Sequence, residues 1–139
     1  MGIQKVPEAS PAATGARVVL DDKNTSSGSF TQMTFASTVY DTGSYVSGST
    51  FVIPATGIYL LCTRCYIGSP NANDYIILGY SINSASQQAE HGYIQASNSA
   101  TALRCNAAVA LRFTAADVVR VFYSSTQGIV GAHASITRV

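Results

Sequence analysis

The stretch Thr50–Ile67 constrains the fold of this 139-residue chain more than any other segment. Its sequence, TFVIPATGIYLLCTRCYI, predicts a short strand, a tight turn and a long second strand. Proline fixes φ and glycine accepts positive φ, so Pro54–Gly57 is predicted to reverse the chain. Ile58–Ile67 is almost continuously apolar, which is typical of a strand that is covered on both faces. The main functional question is therefore what covers its second face.

The rest of the chain repeats this pattern of short strands separated by turn residues. Tyr75–Ile82 and Ala102–Phe113 alternate apolar and polar residues, which indicates half-buried strands. About ten such strands at roughly ten-residue spacing, with no credible helix, predict an all-β, ten-stranded antiparallel jelly-roll sandwich. We expect residues 1–16 to form an extended N-terminal arm and residues 17–139 to form the jelly-roll domain.

Composition argues for a partner and against two classes of ligand. Charged residues make up 11% of the chain, about half the usual share, so part of the surface is predicted to be covered. A net charge of +1 without a basic stripe argues against nucleic-acid binding. No apolar run approaches twenty residues, and residues 1–16 lack the apolar centre of a signal peptide. We therefore expect a protein made in a cytosol that has no membrane partner.

The three cysteines are predicted to be structural thiols. Cys62 and Cys65 have the CxxC spacing of redox and metal motifs. In a strand, however, positions i and i+3 point to opposite faces, so this pair cannot easily chelate a metal or close a disulfide. Cys65 and Cys105 are expected to be reduced neighbours in the core.

The sequence supplies no convincing metal site and no catalytic site. His91 and His133 are the only histidines, and no cluster completes a zinc site around them. Asn71, Asn73 and Asp74 offer oxygen atoms to calcium, but only one of the three is charged. No G-x-S-x-G elbow or marked carboxylate pair is present. We therefore expect no enzymatic activity, no metal and no cofactor.

Three segments carry a resemblance to a known family. Ile53–Tyr59 (IPATGIY) and Phe113–Val119 (FTAADVV) resemble two turns of the complement-q/tumour-necrosis-factor jelly rolls. Val39–Gly43 (VYDTG) resembles a segment common in the bacterial and phage-encoded branch of that family. One departure is Ala116, where the family has glycine. Either Ala116 adopts positive φ at a cost of about 1 kcal/mol, or the turn is built differently.

The resemblance implies two five-stranded sheets and a homotrimer in which one sheet faces the threefold axis. The central strand would then direct one alternate set into the core, namely Tyr59, Leu61, Thr63, Cys65 and Ile67. The other set would face neighbouring subunits together with a neighbouring strand. The implied trimer-interface residues are Ile58, Leu60, Arg64, Tyr66, Arg104 and Asn106. Arginines near such an axis need acceptors, bound anions or water.

The resemblance to the phage-encoded branch implies a non-enzymatic structural protein of a virus particle, made in the host cytoplasm. It would decorate or cement the capsid, or form a head spike. Its arm, through Ile3, Val6 and Pro7, would dock onto the major capsid protein or another virion protein. The alternative is the receptor-binding tip of a phage tail fibre. Loops bearing Tyr45, Tyr75 and Tyr93 would then recognise a host surface glycan or protein. A third possibility is a free ligand of complement-q type.

Overall fold

All the regular structure that the computed structural model describes, in residues 14–21, 27–97 and 102–139, is β-strand. In chain order the strands are β1 (Gly15–Leu20), β2 (Ser27–Gln32), β3 (Phe35–Asp41), β4 (Val46–Ser47), β5 (Thr50–Val52), β6 (Gly57–Ile67), β7 (Tyr75–Ile82), β8 (Ala89–Gln95), β9 (Leu103–Phe113), β10 (Val118–Ser125) and β11 (Gly131–Arg138). The all-β class predicted from strand spacing is therefore confirmed. The described residues contain eleven strands instead of about ten, because the two-residue strand β4 forms directly after Tyr45, in the segment that was predicted to be a loop bearing that residue.

The strands form two antiparallel sheets. A five-stranded sheet has the order β3-β1-β11-β6-β9, and a six-stranded sheet has the order β4-β5-β10-β7-β8, with β2 also paired to β10. The long apolar strand β6 lies between β11 and β9 and pairs with β9 over its whole length, from Gly57 to Ile67. The expectation that the strand around Ala102–Phe113 lies beside it is confirmed. The second sheet has six strands, where the resemblance implied five.

The core lies between the two sheets and takes the alternate side chains that were predicted. All five residues of the predicted inward set of β6 are buried, at 2% exposure or less. On β9, Leu103 and Cys105 are buried, and Val109 and Leu111 pack against the core. A one-residue slip would bring Arg64 into the core, so burial fixes the register of β6 strongly. The opposite side chains of β6 and β9 consequently face outward.

The domain begins two residues earlier than predicted. Ala16 was assigned to the arm, but it is buried and pairs with Ile136 on β11 and with Asp41 on β3. The backbone hydrogen bonds of these two pairings hold Gly15 and Ala16 in the sheet. The predicted docking residues Ile3, Val6 and Pro7 lie outside the described residues.

The two turns that carry the family resemblance bind each other at one end of the sandwich. The Ala116 amide donates to the Ile53 carbonyl (2.7 Å), and the Ile53 amide donates to the Asp117 carbonyl (2.9 Å). The Ala115 amide donates to Oγ1 of Thr56 (3.0 Å). These bonds join segments that are far apart in the sequence. The two motifs therefore form one structural unit and serve the fold.

Ala116 adopts a φ of +74°, so the turn keeps the left-handed geometry for which glycine is suited. Replacing Ala116 with glycine is expected to raise the free energy of unfolding by about 0.5–1 kcal/mol. The relief of left-handed strain outweighs the added flexibility of the unfolded chain. Urea denaturation measures the difference. Ala115→Gly is the matched control, because Ala115 has no positive φ, and it should lower stability. An Ala116→Gly variant less stable than the parent would contradict this account.

Asp41 and Thr42 of the third motif segment also have structural roles. The Asp41 carboxylate accepts hydrogen bonds from the amides of Tyr45 (2.9 Å) and Val46 (2.9 Å). Burial raises the pKa of Asp41, but these amide donors outweigh it and hold the pKa below its ordinary value. The Thr42 hydroxyl donates to the Gly15 carbonyl (3.0 Å). The Asp-Thr pair thus holds the end of β3 and the loop that follows it onto β1.

Candidate functional site

The side of the five-stranded sheet that faces away from the six-stranded sheet, called the outer face below, holds all six predicted interface residues. Ile58, Leu60, Arg64 and Tyr66 alternate along β6, and Arg104 and Asn106 lie opposite on β9. The register pairs Tyr66 with Arg104 and Arg64 with Asn106, so these four side chains adjoin. The structure therefore brings the predicted residues together on one surface.

One end of the outer face, called the apolar end, is mainly apolar. Ile58 is 50% exposed and Leu60 is 37% exposed, although both lie on a strand that has a neighbour on each side. Leu60 pairs with Ala110 and Cys62 pairs with Ala108, so the surface beside these two is made of small residues, whereas Ile58 pairs with the exposed Arg112. Exposed aliphatic side chains flanked by small ones leave room for a second protein surface to approach closely.

The other end of the outer face is cationic and aromatic. The Arg104 guanidinium lies over the Tyr66 ring, with its Cζ 5.6 Å from the ring centroid, a cation–π contact. The Tyr66 ring itself lies against the Gly131 backbone of β11, where any Cβ would overlap its Cε1. A glycine at this position therefore allows the ring to lie flat on the sheet and to support Arg104.

Two cavities open on the outer face. The larger, about 510 Å³, lies over β1, β11, β6 and β9, and the smaller, about 360 Å³, lies beside it over the end of β6. Arg64, Asn106 and His133 line both cavities, and Arg17 and Ser135 line the larger one. Among the residues that the structure describes, no aspartate or glutamate lines either cavity. The cavities therefore present an array of hydrogen-bond donors of net positive charge.

Sequence reasoning missed Arg17 and His133 as members of this surface. His133 pairs with Arg64 across β11 and β6, while Arg17 pairs with Ser135 across β1 and β11. Burial, together with the charges of Arg64 and Arg17, lowers the pKa of His133, so its imidazole is neutral at neutral pH. Alternation along β1 and β11 could have put both residues on one face, but only the register shows that this face adjoins β6.

The cysteines take the places that strand geometry predicts. Cys65 is buried in the core, while Cys62 is half-buried on the outer face, so the two point to opposite sides of β6. Cys65 pairs with Cys105 across the strands, as predicted, and all three are free thiols. Burial raises the pKa of Cys65 and raises that of Cys105 to about 11. Neither core thiol is therefore poised as a nucleophile.

Asp74, the one charged residue among the possible calcium ligands, is used by the fold. The Asp74 carboxylate accepts hydrogen bonds from the Asn71 amide (2.6 Å) and from Nε2 of Gln127. The bond from the Asn71 amide is the main reason that the pKa of Asp74 lies below its ordinary value. No cluster of three His, Cys, Asp or Glu side chains that could hold a metal occurs in the described ranges.

His91 is a packing residue. Its ring meets the Tyr80 ring edge to face, with centroids 5.3 Å apart. Burial lowers the pKa of His91 to about 4, so the imidazole stays neutral at physiological pH.

The three tyrosines proposed as ligand residues lie in different environments. Tyr45 is wholly buried and its hydroxyl lies 2.6 Å from Oγ1 of Thr14, so its assignment to a ligand-binding loop is wrong. The amide bonds to Asp41 turn its loop inward and carry the ring into the core. Tyr75 begins β7, and Tyr93 on β8 is 58% exposed, with its hydroxyl 3.1 Å from Oε1 of Gln95. Only Tyr93 is presented openly to solvent.

Among residues 14–21, 27–97 and 102–139, no helix is long and apolar enough to cross a membrane.

Comparison with known proteins supports the fold. No protein-family model matches the sequence, and no curated protein matches it. Solved structures do match. The crystal structure of murine APRIL at pH 8.0 superposes with a TM-score of 0.65 at 12% identity, covering 91% of this chain and 99% of that chain. The globular domain of zebrafish complement 1qA superposes with a TM-score of 0.61 at 14% identity, covering 89% and 94%. The chain therefore has a jelly-roll fold like those of tumour-necrosis-factor and complement-q domains.

Proposed function

We propose that this chain is a non-enzymatic structural protein that assembles as a homotrimer through the outer face of its five-stranded sheet. The observation that carries the proposal is the apolar end of that face, where Ile58 and Leu60 lie exposed on a central strand. Exposed aliphatic side chains in the middle of a sheet are stabilised when a second protein surface covers them.

Two further observations support self-association. The low content of charged residues leaves little charge to keep a monomer apart from its neighbours. The jelly-roll family that the sequence resembles implies a trimer whose axis faces this sheet, and the fold agrees with that family. The small residues Ala108 and Ala110 beside the aliphatic ones permit close approach of neighbouring copies.

Replacing Leu60 with aspartate tests the interface. Three carboxylates brought together in an apolar contact would be desolvated and would repel each other, so we expect the trimer to dissociate to monomers. Sedimentation equilibrium measures the mass. Tyr93→Asp is the matched control, because it adds the same charge to the outer side of the other sheet and should leave the trimer intact. A parent chain of monomer mass, or a trimer in Leu60→Asp, would contradict the proposed interface.

We further propose that the trimer decorates or cements the head of a phage particle, binding the major capsid protein or another virion protein. Support comes from the resemblance of Val39–Gly43 to the phage-encoded branch of the family. Docking is proposed for the arm residues Ile3, Val6 and Pro7. Immuno-gold labelling of intact particles tests the location, and label over the head is the expected result. A particle preparation without label would contradict a virion role.

Deleting part of the arm tests how the protein docks. The deletion should stop before Thr14, because the Thr14 carbonyl accepts a hydrogen bond from the Arg138 amide (2.9 Å) and its side chain contacts the Tyr45 hydroxyl. We expect a chain lacking residues 1–12 to keep its fold and mass but to lose particle binding. Particles decorated by the shortened chain would contradict docking through the arm.

The alternative is a tail-fibre tip that recognises a host surface glycan or protein. The observation that favours it is the open Tyr93 side chain beside Gln95, on the surface that the proposed trimer leaves free. Label at the tail tip instead of over the head would support this alternative. A Tyr93→Ala variant that then still adsorbed to host cells would exclude Tyr93 from recognition.

A further inference from the structure

We propose that the outer face binds a free tetrahedral oxyanion of the sulfate or phosphate class between Arg17, Arg64 and His133, and that this anion neutralises the face when three copies assemble. The second part rests on the proposed trimer. The first part concerns the single chain and is tested separately.

The charges of the larger cavity favour an anion. Arg17 and Arg64 both line it, and no carboxylate of residues 14–21, 27–97 or 102–139 does. Elsewhere in the described chain, four carboxylates are already engaged by hydrogen bonds in turns and loops, namely those of Asp21, Asp41, Asp74 and Asp117, and Glu90 lies on β8 of the other sheet. A guanidinium stays charged at every relevant pH and presents paired donors that match the oxygens of a tetrahedral anion. Asn106 and Ser135 add uncharged donors to the same lining.

His133 supplies an independent indication. Its Nδ1 is buried and has no hydrogen-bond partner in the described part of the chain, although the residue lines both cavities. A buried polar atom without a partner is uncommon and needs an explanation, and an ion beside the ring is one such explanation. The chemistry of the surrounding groups fits an anion, since the neighbouring charges on β1 and β6 are both positive.

Assembly of the trimer would increase the repulsion between the arginines, which an anion can offset. Around a threefold axis, each copy brings the same cationic end of the outer face toward the other two. The guanidinium groups would repel one another in a partly dry space, where charge interactions are stronger than in water. An oxyanion held by each copy would offset that repulsion while the apolar end of the face makes contact.

Proton NMR of the two histidines in the full chain tests the site directly. The ionisable and charged groups that line the cavities around His133 are Arg17, Tyr40, Cys62, Arg64, Tyr66 and Arg104, and none of these described residues is a carboxylate. A bound divalent anion should therefore raise the pKa of His133, by about 1 unit, in sodium sulfate relative to sodium chloride at equal ionic strength. His133→Asn assigns the signal. His91, packed against Tyr80, serves as the internal reference.

Two arginine variants distinguish sulfate binding at this site from the general screening of charges by salt. Arg64→Gln should raise the pKa of His133 in chloride, because a positive neighbour is lost, and should abolish the further rise in sulfate. Arg112→Gln removes a charge from β9 outside both cavities, and should keep the full sulfate response. An unchanged His133 pKa in sulfate, or an equal loss of response in both variants, would overturn the proposed site.

Sedimentation of the same samples separates the two proposals. A larger trimer fraction in sulfate than in chloride, lost in Arg64→Gln, supports the role in assembly. A monomer in both salts with a responsive His133 would keep the anion site and overturn the trimer. A trimer in both salts with an unresponsive His133 would overturn the anion site but not the trimer. The acceptors for the arginines of the outer face would then be groups on neighbouring copies.

Discussion

Replacing Tyr59 with alanine is expected to lower the free energy of unfolding by about 4 kcal/mol, the range of a large buried aromatic side chain. Tyr59 is fully buried, with its ring 6.0 Å from that of Tyr45 and 5.9 Å from that of Phe113. Its hydroxyl donates to the Ala55 carbonyl (2.7 Å), which ties the core to the turn that precedes β6. Alanine would remove the ring contacts and leave a cavity where three aromatic rings meet.

Tyr59→Phe separates the contribution of the hydroxyl group from that of the ring. Phenylalanine keeps the ring and removes only the hydroxyl, so we expect a loss of about 1 kcal/mol. Urea denaturation followed by tyrosine fluorescence or circular dichroism measures both variants. If the phenylalanine variant lost as much as the alanine variant, the hydrogen bond and not the ring packing would dominate, contrary to this account.

Gly92→Ala is expected to cost about 2 kcal/mol, because the two sheets approach too closely there for a Cβ. Gly92 lies on β8, and an added Cβ would stand 2.6 Å from Cβ of Ala107 and 3.3 Å from Sγ of Cys105. Both neighbours belong to β9, the edge strand of the opposite sheet, and both are buried. Neither Cβ can rotate away, so the strands themselves would have to separate.

A double-mutant cycle tests this contact. Ala107→Gly alone should destabilise the strand modestly, but combined with Gly92→Ala it should recover part of the loss, since one Cβ replaces the other. Gly68→Ala is the matched control, because its nearest contact would be Cγ2 of Val130 at 3.4 Å, and it should have little effect. Additive losses in the double variant would contradict a steric origin.

The sequence predicted those features of the fold that depend on the pattern of adjacent residues. Alternation along β6 and β9 identified the inward and outward residues, because a strand with a charged residue such as Arg64 has only one acceptable register. For the turn at Ala116 the sequence left two possibilities open, and the structure has the positive φ. Each of these rests on a few adjacent residues.

The features that the sequence did not predict depend on distant pairing. Tyr45 is in the core because the Asp41 carboxylate draws its loop inward, which spacing alone does not show. Arg17 and His133 join Arg64 only because β1, β11 and β6 are neighbours in that order. The strand β4 forms because Val46 and Ser47 pair with β5. In each case tertiary contact, not residue preference, decides the outcome.

The position of β6 between two later strands has a consequence for biosynthesis. Both of its sheet neighbours, β9 and β11, follow it in the chain, so neither can pair with it while the ribosome is still making the middle of the protein. During that interval this largely apolar strand stays without partners, which is when off-pathway association competes with folding. Slower growth of the chain would lengthen this exposure, and holdase chaperones would be expected to recognise the nascent Gly57–Ile67 segment first.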